Sequence, residues 1–370
     1  MNGMSLAKRF YFSVVKNLIS ERMPDLVENY AAGLIGYGSD VLGNDDEVSR
    51  DHEWGPRLHL FLALDSYQRR AGALDQLLRD HLPNSFEGFP TRFAFDDDIG
   101  VMTVEPTGVH HVVITTPERF LQLTIGIPSV PHSAQDWLLI PEQRLLEFTR
   151  GEIFEDYTGT VTNLRSGFHY FPEHVWKYRL AYLLISASWE YDLISLCGKS
   201  KDYLSMYICT ALTIERIMKI TFVLNKTYCP YRKWLHREFG KLTSVASDLA
   251  SYLDAARQEN DPASLRNAID AAFDVIVGRL SSDGICDAIP ARQRYFRGNV
   301  KYDLQKMARS IIVELPPEIP ARLKTGITLG GVDQWIENED ALLSPEFLLA
   351  AREMYSTTRM TRDQVGDLLI

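Results

Sequence analysis

The sequence predicts an α+β protein: a small mixed β-sheet domain with flanking helices over residues 1–130, followed by an all-α helical domain over residues 131–370. Three observations predict it. Short apolar runs interleave with helical periodicity as far as about residue 130, the pattern of strands and helices layered together. From about residue 133 only long helical stretches remain. The length of 370 residues suits two domains of roughly 100–200 residues each.

Each element has its own warrant. Phe10, Val14, Val15, Leu18 and Ile19 recur at helical spacing and predict a helix over residues 5–21. AAGLIG at 31–36 predicts a short buried strand, followed by a Gly/Asp-rich loop to about residue 50. RLHLFLAL at 57–64 predicts the next strand, running on from the Asp51–Trp54 segment. A helix follows at 66–81, strands at 91–95 and 109–115, and a helix at 117–125. In the second half, helices are expected at 141–150, 173–197, 203–227, 231–257, 262–281 and 302–313. Polar and proline-rich breaks fall at 258–263 and 314–320. The chain has no internal repeat and no low-complexity tract.

Composition narrows the functional classes. Hydrophobic residues make up 45% of the chain, enough for real cores. The formal net charge of −10 repels phosphate backbones, which argues against broad nucleic-acid binding. Cys197, Cys209, Cys229 and Cys286 show no metal or disulfide spacing, which suits a reducing compartment. No apolar stretch reaches the roughly 18 residues of a membrane span, and residues 1–22 mix charges with apolar side chains. The expectation is a cytoplasmic protein with no membrane partner; a homo-oligomer stays open. P-loop, nucleophile-elbow and dinucleotide-fingerprint patterns are absent.

Chemistry concentrates in Gly36-Tyr37-Gly38-Ser39, the loop Asp40–Arg50, and Asp51-His52-Glu53. Gly38 has no Cβ, so its backbone can approach a bound group closely, and Ser39 adds a hydroxyl donor beside it. Such a corner after a buried strand can hold phosphate oxygens. In an extended strand Asp51 and Glu53 point to one face, about 6.6 Å apart along the backbone. Their carboxylates can then converge on one divalent ion. Mg²⁺ suits such a site, since it takes a few carboxylates plus phosphates and waters.

These residues resemble the nucleotidyltransferase superfamily related to DNA polymerase β: a hydrophobic strand, Gly-Ser, a spacer of around ten residues, then acidic-x-acidic. Here Gly38-Ser39 precedes Asp51-His52-Glu53 by eleven residues. The run GYGSDVLGNDDEVSRDHEWGPRLHLFL, with PYRKW (Pro230–Trp234) and GGVDQW (Gly330–Trp335), also resembles an uncharacterised domain family usually grouped with those enzymes. The resemblance implies transfer of a nucleoside monophosphate from ATP or another nucleoside triphosphate to a hydroxyl acceptor. It implies Mg²⁺ on Asp51 and Glu53, as the catalytic and metal-binding pair. It also implies a small mixed-sheet nucleotidyltransferase domain paired with a helical one, as in antibiotic adenylyltransferases. The family's third carboxylate is not evident: Val113 stands where one is sought, and Glu105 and Asp65 are poorly placed. His52 replaces the usual apolar middle residue.

Nucleotide contacts are expected from Gly38, Ser39, Arg57 and Lys233, with Mg²⁺ and ATP as cofactor and substrate. The acceptor is a small molecule, a protein side chain or an RNA end. Each candidate has a plainer counterpart. Arg50 and Arg57 can form surface ion pairs. Lys233, Tyr228 and Tyr231 can pack a helical junction opened by Pro230. Lys199 and Asp202 follow a helix break. Asp45, Asp46 and Glu47 are expected in a solvated loop. His52, His110, His111, Trp54 and Trp137 are expected to be structural. Glu142, Glu147 and Asp156 are candidate general bases for an acceptor hydroxyl, although a glutamate after Pro141 also simply suits a helix start. The alternative function is a catalytically inactive nucleotide-binding or protein-interaction module on the same fold.

Overall fold

The structure is a computed structural model that describes residues 2–98, 100–286, 292–294, 300–325 and 328–356. The architecture is α+β. The chain forms two compact units, and it crosses between them three times. The first unit comprises residues 1–130 and 143–169; the second comprises 131–142 and 170–370. A single boundary at 130 is therefore too simple: residues 143–169 return to the first unit. The cause is a strand in EIFED, too short to stand out between helical runs.

The first unit is built on a four-stranded sheet. Its strands, in chain order, are β1 (Tyr30–Leu34), β2 (Leu58–Leu62), β3 (Ser85–Phe86), β4 (Phe89–Pro90), β5 (Arg92–Asp96), β6 (Val101–Val104), β7 (Val109–His110), β8 (Val112–Thr115) and β9 (Glu152–Asp156). The main sheet has the order β8-β2-β1-β9. β1 is antiparallel to β2 (Ala32 opposite Leu60) and to β9, while β8 runs parallel to β2 (Ile114 opposite Leu60). Gly33 lets β9 come close, since a Cβ there would lie 2.7 Å from the Glu152 carbonyl oxygen. A smaller sheet, β6-β5-β7, follows. The expected strand 109–115 is thus two strands in two sheets, divided at His111.

One face of the main sheet is covered by the N-terminal helix. It runs Gly3–Phe10, passes through a π-helical stretch Tyr11–Val15, and continues Lys16–Arg22. Its apolar stripe of Ala7, Phe10, Tyr11, Val15 and Ile19 packs against Ala32 and Leu34 of β1 and Leu58, Leu60 and Leu62 of β2. Each such buried aliphatic or aromatic side chain contributes about 1.5–3 kcal/mol. The helix Leu64–His81 adds Leu74 and Leu78 to the same core. At the sheet edge the Tyr11 hydroxyl meets Tyr30 and Glu155, and Lys16 pairs with Glu155.

The second unit is helical. Its longest elements are Glu173–Ser200 and Tyr203–Leu224, joined as a hairpin at Lys201 (φ +60) and Asp202, whose carboxylate accepts from Ser205 N–H at 3.2 Å. Pro262–Ser282 starts with Asp261 as cap and Pro262 at its first position, where a missing N–H costs nothing. The helix expected over 231–257 is two helices, Arg232–Phe239 and Ala246–Gln258. Val245 between them has φ +66, a backbone no helix can carry through. No helix among the described residues is long and apolar enough to cross a membrane.

Candidate functional site

The corner after β1 is made by glycines. Gly36 and Gly38 have φ of +88 and +138, conformations that L side chains resist. Gly38 then leads into the short helix Ser39–Leu42, closed by Gly43 at φ +68. The Ser39 hydroxyl donates to the Ser49 carbonyl at 2.5 Å, drawing the loop 40–50 back onto the corner. Gly38 and Ser39 stay half-buried, and Tyr37 is exposed.

Arg57 is the central cation of this region. Its guanidinium is buried and grips both oxygens of buried Asp40, at 2.5 and 3.2 Å, and donates to the Tyr37 carbonyl at 2.8 Å. Burial works against its charge, but Asp40 holds its pKa above the ordinary value. A Cβ on Gly38 would lie 2.0 Å from Arg57 Nη2. The open face of Gly38 is therefore filled by the chain's own ion pair. Arg57, expected on phosphate, is committed to Asp40.

Asp51 and Glu53 do not share a strand. β2 begins only at Leu58, residues 51–53 form a bend, and Glu53 has φ +52. The one-face geometry of an extended strand is thus corrected: Gly55 and Pro56 break the run before β2. Asp51 is largely exposed and lies 3.1 Å from His52 Nδ1. His52 Nε2 meets the Tyr37 hydroxyl at 3.2 Å, with the two rings stacked. Glu53 is fixed by β6: its N–H donates to the Met102 carbonyl at 2.9 Å, and its Oε1 accepts from Met102 N–H at 3.4 Å. Among the described residues, no three His, Cys, Asp or Glu side chains converge as a metal-binding group.

Glu147 joins the same region from the helix Glu142–Arg150. Its carbonyl accepts from Gly36 N–H at 3.1 Å. Its buried carboxyl is met by Gln143 at 2.8 Å and Arg144 at 3.2 Å, and burial pushes its pKa up. The Tyr37 hydroxyl is pushed up first by burial, then by the fields of Glu147 and Glu53, with Arg144 opposing and Asp51 adding. The fields of one carboxylate from this helix and two from the bend 51–53 thus act on one tyrosine. Beneath them, His59 and His111 are pushed down to about 3 by burial and then by Arg57.

Other candidates have defined places. Asp45 is not solvated: its buried carboxylate accepts from Gly3 N–H at 2.6 Å and Trp54 Nε1–H at 2.9 Å. This pins the N-terminal helix to the loop, a role that apolar periodicity does not reveal. Asp46 and Glu47 are exposed, and Asp46 caps the turn at Ser49. Arg50 lies over the Trp54 ring at 4.7 Å. Asp65 pairs with Arg69, and Glu105 holds Thr107. His110 is buried 3.2 Å from Asp75. Val113 lies opposite His59 in the β2–β8 register. Asp156 is on β9, in the first unit, where it accepts from Thr162 N–H at 2.8 Å.

Lys233, Lys199, Asp202, Tyr228, Tyr231 and Glu142 belong to the second unit. Lys233 is exposed, with its amine 4.9 Å from the Trp234 ring centroid. Glu142 is buried in an ionic cluster. Arg179 Nη2 reaches Glu142 at 2.5 Å and both oxygens of Asp333 at 3.0 Å. The second Glu142 oxygen accepts from Cys229 N–H at 2.8 Å. This cluster unites the PYRKW and GGVDQW regions. Arg179 is held charged by its two carboxylates against burial, and the deeper one, Glu142, is pushed up first by burial and then by the field of Asp333, with Arg179 opposing.

A family described as a domain of unknown function (DUF4037) matches residues 137–235. No curated protein matches the chain. Among solved structures, the nucleotidyltransferase-like protein from Exiguobacterium sibiricum 255-15 is similar at 10% identity, over 75% of this chain and 77% of that one, with a TM-score of 0.33. So distant a likeness places no residue.

Proposed function

We propose that the first unit transfers a nucleoside monophosphate from ATP or another nucleoside triphosphate to a hydroxyl acceptor. The observation that carries this is the acidic bend Asp51–Glu53, tied to Tyr37 through His52 and set beside the half-exposed Gly38-Ser39 corner. Asp51 and Glu53 would hold Mg²⁺. Their donor set fits: hard carboxylate oxygens, with Asp51 open to solvent and one Glu53 oxygen outside its bond to Met102. Mg²⁺ needs few protein ligands when phosphates supply the rest. Bound there, it would supply charge neutralisation on the triphosphate.

The chain's own groups do the remainder. Phosphate would approach the half-exposed side of the Gly38-Ser39 corner, away from the face of Gly38 that Arg57 fills. Glu147, its carboxyl raised by burial, takes the proton from the acceptor hydroxyl. The acceptor oxygen bonds to the α-phosphorus, and the bond to pyrophosphate breaks. The test is incubation of the full chain with α-labelled nucleoside triphosphates, Mg²⁺ and panels of small-molecule, protein and RNA acceptors. The expected outcome is label transfer with pyrophosphate release, lost in Asp51→Ala and lowered about 100-fold or more in Glu147→Gln. Absence of transfer and of any ATP·Mg²⁺ binding by calorimetry would sink the proposal.

One observation favours a second reading, a nucleotide-binding or protein-interaction module without turnover. Arg57 is spent on Asp40 and fills the face of Gly38. ATP-dependent thermal stabilisation with no pyrophosphate release would select it.

A further inference from the structure

The long hairpin of the second unit presents an apolar face to solvent. On the helix Glu173–Ser200, Trp189 and Leu193 are 51% and 42% exposed. On Tyr203–Leu224, Leu204 and Ile208 are 74% and 54% exposed. Trp189 and Leu193 are four residues apart, as are Leu204 and Ile208, so each pair forms a stripe on one helix face. Both stripes lie away from the core. The buried side of the first helix carries Tyr191 and Ile194, and that of the second carries Met206, Cys209 and Thr213. The Cys209 thiol meets Glu190 and Cys197 across the hairpin, so the helices lie side by side. Counting each helix's angles from this shared edge, at 100° per residue, puts the two stripes on the same side.

We propose that this face is the interface of a symmetric dimer, in which two hairpins pack as a four-helix layer about a two-fold axis. The occupant is a second copy of this chain. The four side chains expose on the order of 500 Å², and Ala211 with half-buried Leu196 and Leu212 extends them toward the about 800 Å² per partner of a standard interface. Monomers rarely expose contiguous apolar patches of more than a few hundred Å². A two-fold contact places the same patch on both sides, so an apolar face is complementary to itself, with half-buried Glu190 held against the Cys209 thiol at the seam between the stripes. The nearby charges, Lys199, Lys201 and Asp202, sit at the hairpin tip. The tryptophan within the face is a residue type that dominates interface energetics.

Sedimentation velocity and light scattering on the full chain test this. The expected species has twice the 42.2 kDa mass of the chain. Leu204→Glu/Ile208→Glu should weaken association at least 100-fold and leave a folded monomer by far-UV circular dichroism. Leu64→Glu, at an exposed position of the first unit, should leave the dimer intact. A second measurement needs no disruptive variant: Trp189 leaves water on association, so wild-type fluorescence should shift to the blue with concentration, and Trp189→Phe should abolish the shift. A monomeric wild type overturns the proposal, whether or not it binds lipid vesicles. A dimer that persists in the double variant overturns it equally.

Discussion

Each unit buries an arginine against a glycine, yet the two arginines are served differently. In the first unit Arg57 meets one carboxylate through two of its nitrogens, and Tyr37 adds a carbonyl acceptor. In the second unit Arg179 directs one amine to both Glu142 and Asp333, while its Nε and Nη1 lie buried without a partner. The first arrangement is neutral and well satisfied; the second carries one excess negative charge and two unmet donor nitrogens. A buried donor without an acceptor costs roughly 1–3 kcal/mol. The comparison teaches that burying an arginine is not one motif: Arg57 organises a loop that remains near solvent, whereas Arg179 ties together segments far apart in sequence.

Removing each cation should separate the two cases most sharply. Arg179→Met strands two carboxylates, one of them almost fully buried, and should cost about 4–5 kcal/mol; Arg57→Met strands only Asp40 and should cost about 3 kcal/mol. Hydrogen exchange read by segment gives the check. Arg179→Met should lose protection in 173–200, and Arg57→Met in 30–34 and 58–62. Equal losses in both units for either variant would break the comparison.

The glycines should reverse that order. A Cβ on Gly331 would lie 1.6 Å from Arg179 Nη1, but its φ of −81 suits any residue. A Cβ on Gly38 would lie 2.0 Å from Arg57 Nη2 at a φ of +138 that alanine resists. Gly331→Ala should therefore cost about 1–2 kcal/mol for overpacking, and Gly38→Ala about 2–3 kcal/mol for overpacking plus backbone strain. Denaturant titration followed by the same segment-resolved exchange ranks them. A larger loss for Gly331→Ala would mean that the pinned guanidinium, and not the backbone, sets the cost.

Much of the fold is legible in the sequence because the long helices repeat apolar residues at a period that nothing else imitates. The failures are local. A left-handed residue such as Val245 or Glu53 leaves no mark on periodicity, so a helix runs on past its break and an acidic pair is placed on a strand it never enters. Gly55-Pro56 is the available signal that β2 starts later, since proline disfavours a strand interior. EIFED is an edge strand whose partner lies more than a hundred residues earlier, so pairing alone reveals it. In the candidate site, Gly38, Ser39, Asp51 and Glu53 are legible from spacing. Asp40 and Tyr37 are not, because their importance comes from what Arg57 and His52 do on reaching them.

The smallest expected difference is in pH response. His59 and His111 have folded-state pKa values of about 3, set by burial and then by Arg57, against 6.5 as the ordinary value. The unfolded chain therefore binds protons that the folded first unit refuses. That stability is fully present above pH 6.5 and is lost as pH falls from 6.5 toward 3, on the order of 1 kcal/mol for each histidine by pH 6. The second unit should respond in the opposite sense. Glu142 is raised above 4.5 by burial, so its folded form takes up a proton more readily than the unfolded chain and gains stability as pH falls toward 4.5. Mild acid should thus loosen β1 and β2 before the helix Glu173–Ser200. His59→Phe keeps a ring against Phe61 and Phe120 but cannot titrate, so it should remove about half of the first unit's acid sensitivity. Exchange protection across both units between pH 7 and 5 measures it, and parallel loss in the two would mean that the histidines do not govern the first unit's response.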